Sequence, residues 1–232
     1  MVHNMPLLRF ENVSKQFQDG YLALNEVSFD LADGEMVFVT GHSGAGKSTV
    51  LKLIHLMERP TRGTVFFAER NLARVGNHQI PFYRRNIGVV YQNHCLLMDR
   101  SVAENVALPL RVRGMGRVEI GKRVRAAFEP LGLMNRMRAL PNQLSSGEQQ
   151  RVAIARATVA NPRLVVADEP TGNLDPTLAA EVMQLFTQLS ARGTSLLVVS
   201  HDLALLKRMR KRVLVLDHGR LVDDIAPGEL AE

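Results

Sequence analysis

The hydrophobic positions of this chain change their period along its length. Positions 7–13 and 23–31 read as two short strands joined by the turn-like Gln18-Asp19-Gly20. A third apolar run, 36–40, stops at Gly41 in a glycine-rich stretch. From Lys47 the spacing becomes helical. Val50, Leu51, Leu53, Ile54 and Met57 recur every three or four residues, and Pro60 and Gly63 close the helix. Runs at 65–67 and 87–91 read as further strands. Between about Gln92 and Ala160 strand signals vanish, and 101–112, 117–131 and 146–160 read as helices. Gly114, Gly116 and Gly132 punctuate the first two, and Pro141 marks the loop before the third. Strand returns at 163–167, helix at 177–191, strand at 194–200 and helix at 203–209, with a closing hairpin around His218-Gly219. Strands alternating with helices predict an α/β fold with a parallel sheet core. The all-helical block 92–160 is expected as an insertion between 1–91 and 161–232, within one domain.

Composition narrows this picture. Of 232 residues, 46% are hydrophobic and 22% charged, which excludes disorder as the main state. Lys and Arg number 29 against 23 Asp and Glu, and the charge of +6 points to an anionic partner: nucleic acid, an acidic membrane surface or phosphate. The excess is local. Between Arg100 and Arg138 nine basic residues face three acidic ones, and the rest of the chain balances at 20 against 20. The single cysteine, Cys95, leaves no intramolecular disulfide and fits a reducing compartment. Residues 1–9 lack a basic segment followed by a long apolar one, so no secretory signal is expected. The apolar runs fall far short of the ~18 residues that span a bilayer.

Gly41-His42-Ser43-Gly44-Ala45-Gly46-Lys47-Ser48-Thr49 matches G-x-x-x-x-G-K-[ST] between a strand and a helix. Glycines let backbone N–H groups converge on phosphate oxygens, and the helix N-terminus adds partial positive charge. Lys47 is expected to reach the β- and γ-phosphates and Ser48 to ligate Mg²⁺. His42 fills a variable position of the loop and is expected to face solvent. The apolar run 164–167 ends in Asp168 and Glu169. A parallel strand delivers these acids to the same sheet edge as the loop. Asp168 is then placed to hold Mg²⁺ directly or through water, and Glu169 to act as general base on the attacking water.

Leu144-Ser145-Ser146-Gly147-Glu148-Gln149-Gln150-Arg151 opens a helix shortly before the acidic strand. Here the chain resembles the ATP-binding cassette (ABC) ATPases, whose signature is LSGGQ or LSGGE. The resemblance covers essentially the whole chain. It implies a P-loop NTPase core of mostly parallel sheet, an antiparallel β subdomain and an inserted helical subdomain, with ATP and Mg²⁺ bound. Gln92 matches the Q-loop, with a role on Mg²⁺ and the γ-phosphate; a helix cap is its plain alternative. Asn173-Leu174-Asp175 matches the D-loop, and Asp175 either acts across a dimer interface or caps the helix after Pro176. His201 matches the switch histidine that bonds the γ-phosphate, against a purely structural ring. Phe17 sits where the family stacks an aromatic on adenine, against a core role. Ser145, Ser146, Gly147 and Glu148 would contact ATP held by a partner subunit. Ser146 departs from the signature, where the family has glycine, and this bears on the hydrolysis rate.

Within the family, Pro81-Phe82-Tyr83-Arg84-Arg85, Leu96-Leu97-Met98-Asp99-Arg100-Ser101-Val102 and the stretch 167–175 are similar to the cell-division ATPases. That likeness implies a head-to-tail homodimer at the cytoplasmic face of the inner membrane. It also implies a permease-like integral membrane partner that activates peptidoglycan hydrolases. Lipoprotein-releasing or macrolide-export ATPases share the overall pattern. The basic segment 100–138 then reads as attracted to anionic lipid or to an acidic segment of the partner, or as a plain solvated face. No nucleic-acid partner is expected, because there is no room for a long coiled-coil or clamp insertion. A guanine-reading Asn-Lys-x-Asp is absent, which argues against a GTPase.

Overall fold

The computed structural model describes residues 5–172 and 174–231. Two sheets carry the α/β part. The larger holds β3 (Met36–Thr40), β6 (Ile87–Val90), β7 (Leu164–Asp168), β8 (Ser195–Val199), β9 (Arg212–Asp217) and β10 (Arg220–Ile225). Its order is β10-β9-β3-β8-β7-β6, parallel apart from the β9–β10 hairpin. The smaller is antiparallel and contains β1 (Leu8–Gln16), β2 (Leu22–Leu31), β4 (Arg62–Phe67) and β5 (Arg70–Asn71), in the order β2-β1-β4-β5.

The central strands are buried on both faces, as the near-continuous apolar runs require. Alternation sorts their side chains into two cores. Val37 and Val39 of β3, Leu197 and Val199 of β8, and Leu164 and Val166 of β7 pack against the small sheet and helix α1 (Lys47–Ile54). Met36, Phe38, Leu196, Val198, Val165 and Ala167 point the other way, onto α6 (Pro176–Ala191) and α7 (Leu203–Met209). Phe38 is fully buried there. Truncating a core phenylalanine to alanine costs about 3–5 kcal/mol.

A third core lies within residues 96–160, among α3 (Val102–Val112), α4 (Arg117–Phe128) and α5 (Ser146–Thr158). Helix α5 serves two cores at once. Val152, Ala153 and Ala155 face the helical block, whereas Ile154 and Ala157 pack on the sheet. The approach to β6 is so close that a Cβ on Gly88 would lie 2.2 Å from the Ala157 carbonyl oxygen.

Several expectations need correction. Helix α1 ends at Ile54 rather than running through Met57. Leu56 adopts left-handed φ, and the Met57 and Glu58 N–H groups both turn back onto the Lys52 carbonyl. Met57 is left exposed. A short helix α2 (Ile80–Arg84) was not foreseen, and α4 stops at Phe128 before a 3₁₀ turn, Glu129–Leu131. Not all of the basic residues of segment 100–138 form a free patch. Arg113 donates to the carbonyls of Ala160 and Arg85, Arg123 pairs with Glu119, and Arg136 pairs with Glu148. Arg111, Arg117, Lys122, Arg125 and Arg138 are exposed.

Candidate active site

Strand β3 stops where glycine is the residue that fits. Gly41 has φ of 144°, and a Cβ there would fall 2.1 Å from the Leu216 carbonyl oxygen of β9. Gly46, in the left-handed region before α1, has no room either, because a Cβ would lie 2.7 Å from the Ala23 carbonyl oxygen. The loop is therefore wedged between the two sheets. Its helix begins without a side-chain cap, so first-turn N–H groups are offered to an anion. Lys47 Nζ folds back and donates to the carbonyls of Gly41 (2.6 Å) and His42 (2.8 Å).

The loop opens into a cleft of about 770 Å³. Gly41, His42, Ser43, Gly44, Ala45, Gly46, Lys47, Ser48 and Thr49 line it together with Phe17, Gln92, Asp168, Glu169 and His201. The register of β3, β8 and β7 brings the acidic pair to the loop edge. Asp168 is half-buried, and its carboxyl is pushed above the ordinary range by burial and then by Glu169; Lys47 opposes the shift. His201 Nδ1 lies 2.7 Å from Glu169 Oε1. Facing a carboxylate, Nδ1 is the ring nitrogen that donates. Asp202 caps α7 through the Leu205 N–H and so fixes the turn that carries His201. The Phe17 ring is half-buried and faces the cleft, with the ammonium groups of Lys15 and Lys52 at 5.0 and 5.9 Å from its centroid.

Ser48, Gln92 and Asp168 supply oxygen donors to the lining of this cleft, and a half-buried carboxyl beside a second one favours a nearby cation. This donor set fits a hard divalent ion such as Mg²⁺.

The signature residues are not among those lining this cleft. Ser145 caps α5. Its Oγ accepts from the Glu148 N–H, and Glu148 Oε2 accepts from the Ser145 N–H. That bond is the main reason the Glu148 carboxyl sits below the ordinary range. Ser145 and Ser146 are exposed, and Ser146 is the first residue of the helix, where a Cβ is unstrained. Gly147 is buried against Leu178. Asp175 caps α6 through the N–H groups of Thr177 and Leu178, as its plain alternative anticipated. Asn173 lies outside the described residues.

Three residues escaped the sequence reading. Tyr21 lines the cleft, and its hydroxyl donates to the Gly44 carbonyl. Gln150, buried on α5, donates to the Pro170 carbonyl just after the acidic pair, at 2.7 Å. Asn105, fully buried on α3, holds the loop after Gln92. It accepts from the Leu97 N–H and donates to the carbonyls of Leu97, Arg100 and Ser101. The aromatic pattern around the turn hinted at Tyr21. The two amides act across chain separations that periodicity does not register.

Known proteins resemble this chain over nearly its whole length. The family profile described as ABC transporter matches residues 24–172. A second, described as an AAA domain of a putative AbiEii toxin of a type IV TA system, matches residues 138–207. The cell division ATP-binding protein FtsE of Escherichia coli K12 is 47% identical over 215 residues, 93% of this chain and 97% of that protein. FtsE of Bacillus subtilis is 43% identical over 223 residues, 96% of this chain and 98% of that one. Among solved structures, the MJ0796 cassette, described as a dimeric post-hydrolysis state bound to ADP and Pi, superposes with a TM-score of 0.87. It is 33% identical and covers 94% of this chain and 98% of its own. CbiO1 of Clostridium perfringens, part of the cbiONQ transporter complex, gives a TM-score of 0.90 at 28% identity, covering 97% and 90%. With the ABC transporter profile matching 24–172 and relatives 43–47% identical over more than nine-tenths of the chain, the chain belongs to the ABC transporter family of ATPases.

Proposed function

We propose that this ATPase is the cell-division type of ABC subunit, a nucleotide-driven switch for an integral membrane partner. The observation that carries the switch is the division of the site. The phosphate loop, Gln92, Asp168, Glu169 and His201 share one cleft, while the signature turn 145–148 lies outside it and exposes Ser145 and Ser146. Two copies paired head to tail complete each other's site, with Asp175 near the join. The dimeric description of the MJ0796 cassette supports this pairing.

Each side chain then has a task. Lys47 leaves its loop carbonyls for the β- and γ-phosphate oxygens. Phe17 stacks on the adenine. Ser48, Gln92 and Asp168 hold Mg²⁺, which supplies charge neutralisation at the phosphates. Glu169 accepts the proton of the attacking water. His201, oriented by Glu169, bonds the γ-phosphate through a ring N–H. Closing the dimer around ATP and opening it after hydrolysis drives the partner.

The partner surface is the apolar groove of about 440 Å³ between β6 and α3, lined by Ile87, Val89, Tyr91, Leu97, Leu108 and Val112. Leu97, Met98 and Val112 are exposed beside it. By likeness to FtsE, the partner is an FtsX-like permease that regulates peptidoglycan hydrolysis during cell division, at the inner face of the membrane. Among the described residues no helix is long and apolar enough to cross a membrane, so the partner provides the anchor. The second reading, an ATPase subunit of a lipoprotein-releasing or macrolide-export transporter, differs in the partner alone.

Glu169→Gln tests the switch. ATP is expected to remain bound and the chain to run as a stable dimer in size-exclusion chromatography with light scattering. Hydrolysis at the wild-type rate would remove Glu169 from the role of base. Identification of the membrane protein that co-purifies with this variant decides between the two partner readings.

A further inference from the structure

At the edge of the catalytic cleft, which His42 also lines, two imidazoles and a carboxylate converge where the β9–β10 turn meets the phosphate loop. His42 Nε2 lies 2.7 Å from Asp217 Oδ1, and His218 Nε2 lies 4.0 Å from the same oxygen. The two rings are 4.8 Å apart between centroids, and one ligand atom from each of the three residues falls within 4.8 Å of the others.

The surroundings favour a cation here. His42 Nδ1 sits 2.5 Å from the Ser43 carbonyl oxygen. Both ring nitrogens therefore face oxygen acceptors. The ring satisfies both only if each nitrogen carries a proton, or if Nδ1–H donates to the carbonyl while Nε2 binds a metal. The second arrangement is how metal-ligating histidines are held, with the far N–H on a backbone carbonyl fixing tautomer and ring plane. Ligand bonds of about 2.0–2.2 Å place neighbouring donors of a tetrahedral ion a little over 3 Å apart. The observed 2.7 and 4.0 Å bracket that separation. His218 is 84% exposed at the turn.

The scaffold beneath is firm. Gly219 N–H donates to the Ala45 carbonyl of the phosphate loop, and Asn25 N–H donates to the Gly219 carbonyl. Strand β9 is itself paired with β3, the strand that leads into the loop. The three ligands therefore hang from two backbone segments that already touch.

We propose that His42, Asp217 and His218 form a site for a divalent transition-metal ion of the zinc class, separate from Ser48, Gln92 and Asp168. Two imidazoles and one carboxylate suit Zn²⁺, Co²⁺ or Ni²⁺, whereas Mg²⁺ prefers all-oxygen ligands. A bound ion ties the phosphate loop to the β9–β10 turn at the edge of the nucleotide cleft. His42 is also a residue whose carbonyl accepts from Lys47 in the nucleotide-free chain.

The test is a Co²⁺ titration of the full nucleotide-free chain in excess Mg²⁺, read by visible absorption. One equivalent per chain with d–d bands of four-coordinate intensity is expected, unaffected by Mg²⁺. His218→Asn suits this turn because asparagine tolerates the left-handed φ of 44° found there. It should weaken Co²⁺ at least about tenfold, or 1.4 kcal/mol, while circular dichroism and ATP binding stay as in the wild type. Asp217→Asn should behave the same way. Absence of the bands in the wild-type chain would leave a plain imidazolium–carboxylate pair and overturn the site. An unchanged titration in His218→Asn would move the ion elsewhere and overturn it equally.

Discussion

The phosphate loop and the signature turn are both glycine-bearing entries into a helix, yet they are built in opposite ways. At Lys47 the helix starts uncapped, and the glycines before it are pressed against backbone carbonyls of β9 and the small sheet. At Ser146 the helix starts fully capped by the reciprocal Ser145–Glu148 pair, and the neighbour of Gly147 is only the end of a leucine side chain. The first arrangement leaves N–H groups wanting an anion within a rigid frame. The second has answered the Ser145 and Glu148 N–H groups with its own side chains and presents a serine to solvent. On the proposed reading, one turn binds nucleotide on its own and the other meets nucleotide held by a second copy.

The contrast breaks most visibly in the glycines. Gly41→Ala forces a Cβ onto the Leu216 carbonyl at a left-handed φ, and a loss on the order of 3 kcal/mol is expected in denaturant melts. Gly147→Ala asks only that Leu178 turn aside, and about 1 kcal/mol is expected. Equal losses would erase the distinction. Next in size are the functional pair. Lys47→Ala should weaken ATP binding to the isolated chain at least about tenfold, measured by calorimetry. Ser145→Ala should leave that binding unchanged, remove about 1 kcal/mol of capping and still abolish turnover. If Ser145→Ala also lost binding in the monomer, the site would not be divided between two copies.

Smaller still is the effect at Asp168. Its carboxyl is held above the ordinary range by burial and by Glu169. Ionisation therefore opposes folding, with a penalty that is fully present above the raised folded-state value. Asp168→Asn should raise the melting temperature of the ligand-free protein at neutral pH. That gain should shrink as pH falls through the carboxyl range, where the wild-type residue is also protonated. A pH-independent difference would point to packing instead. The smallest change is Ser146→Gly. An exposed first-turn residue on helical backbone has little to lose, so dimer-dependent hydrolysis is expected to hold or rise. A clear fall would give that serine a task of its own.

What was legible in the sequence follows from distance along the chain. Strand β3, the phosphate loop and α1 form one contiguous run, and the apolar strand 164–167 delivers Asp168 and Glu169 directly. Alternation in β3, β7 and β8 was masked because both faces are buried, so the two cores emerged only in three dimensions. Helix α2 is a single turn begun by proline, too short and too exposed to show a period. The end of α1 depended on Leu56 entering left-handed φ, which no apolar spacing announces. Of the site, Phe17, Gln92 and His201 gained meaning only from family likeness. Gln150 and Tyr21 act by reaching 20 and 23 residues along the chain to a backbone carbonyl.

Asn105 carries a consequence for whatever lands on the groove. Its one side chain satisfies four backbone groups of the loop after Gln92. Fixing a residue's backbone costs about 1–2 kcal/mol in lost freedom, and here folding has already met that cost. A docking segment therefore encounters a preorganised face and sacrifices little entropy to engage it. A loop without slack also passes displacement on instead of absorbing it. Movement of the helical block arrives at the groove undiminished, and the same single amide that lowers the entropic cost of contact makes the contact a stiff one.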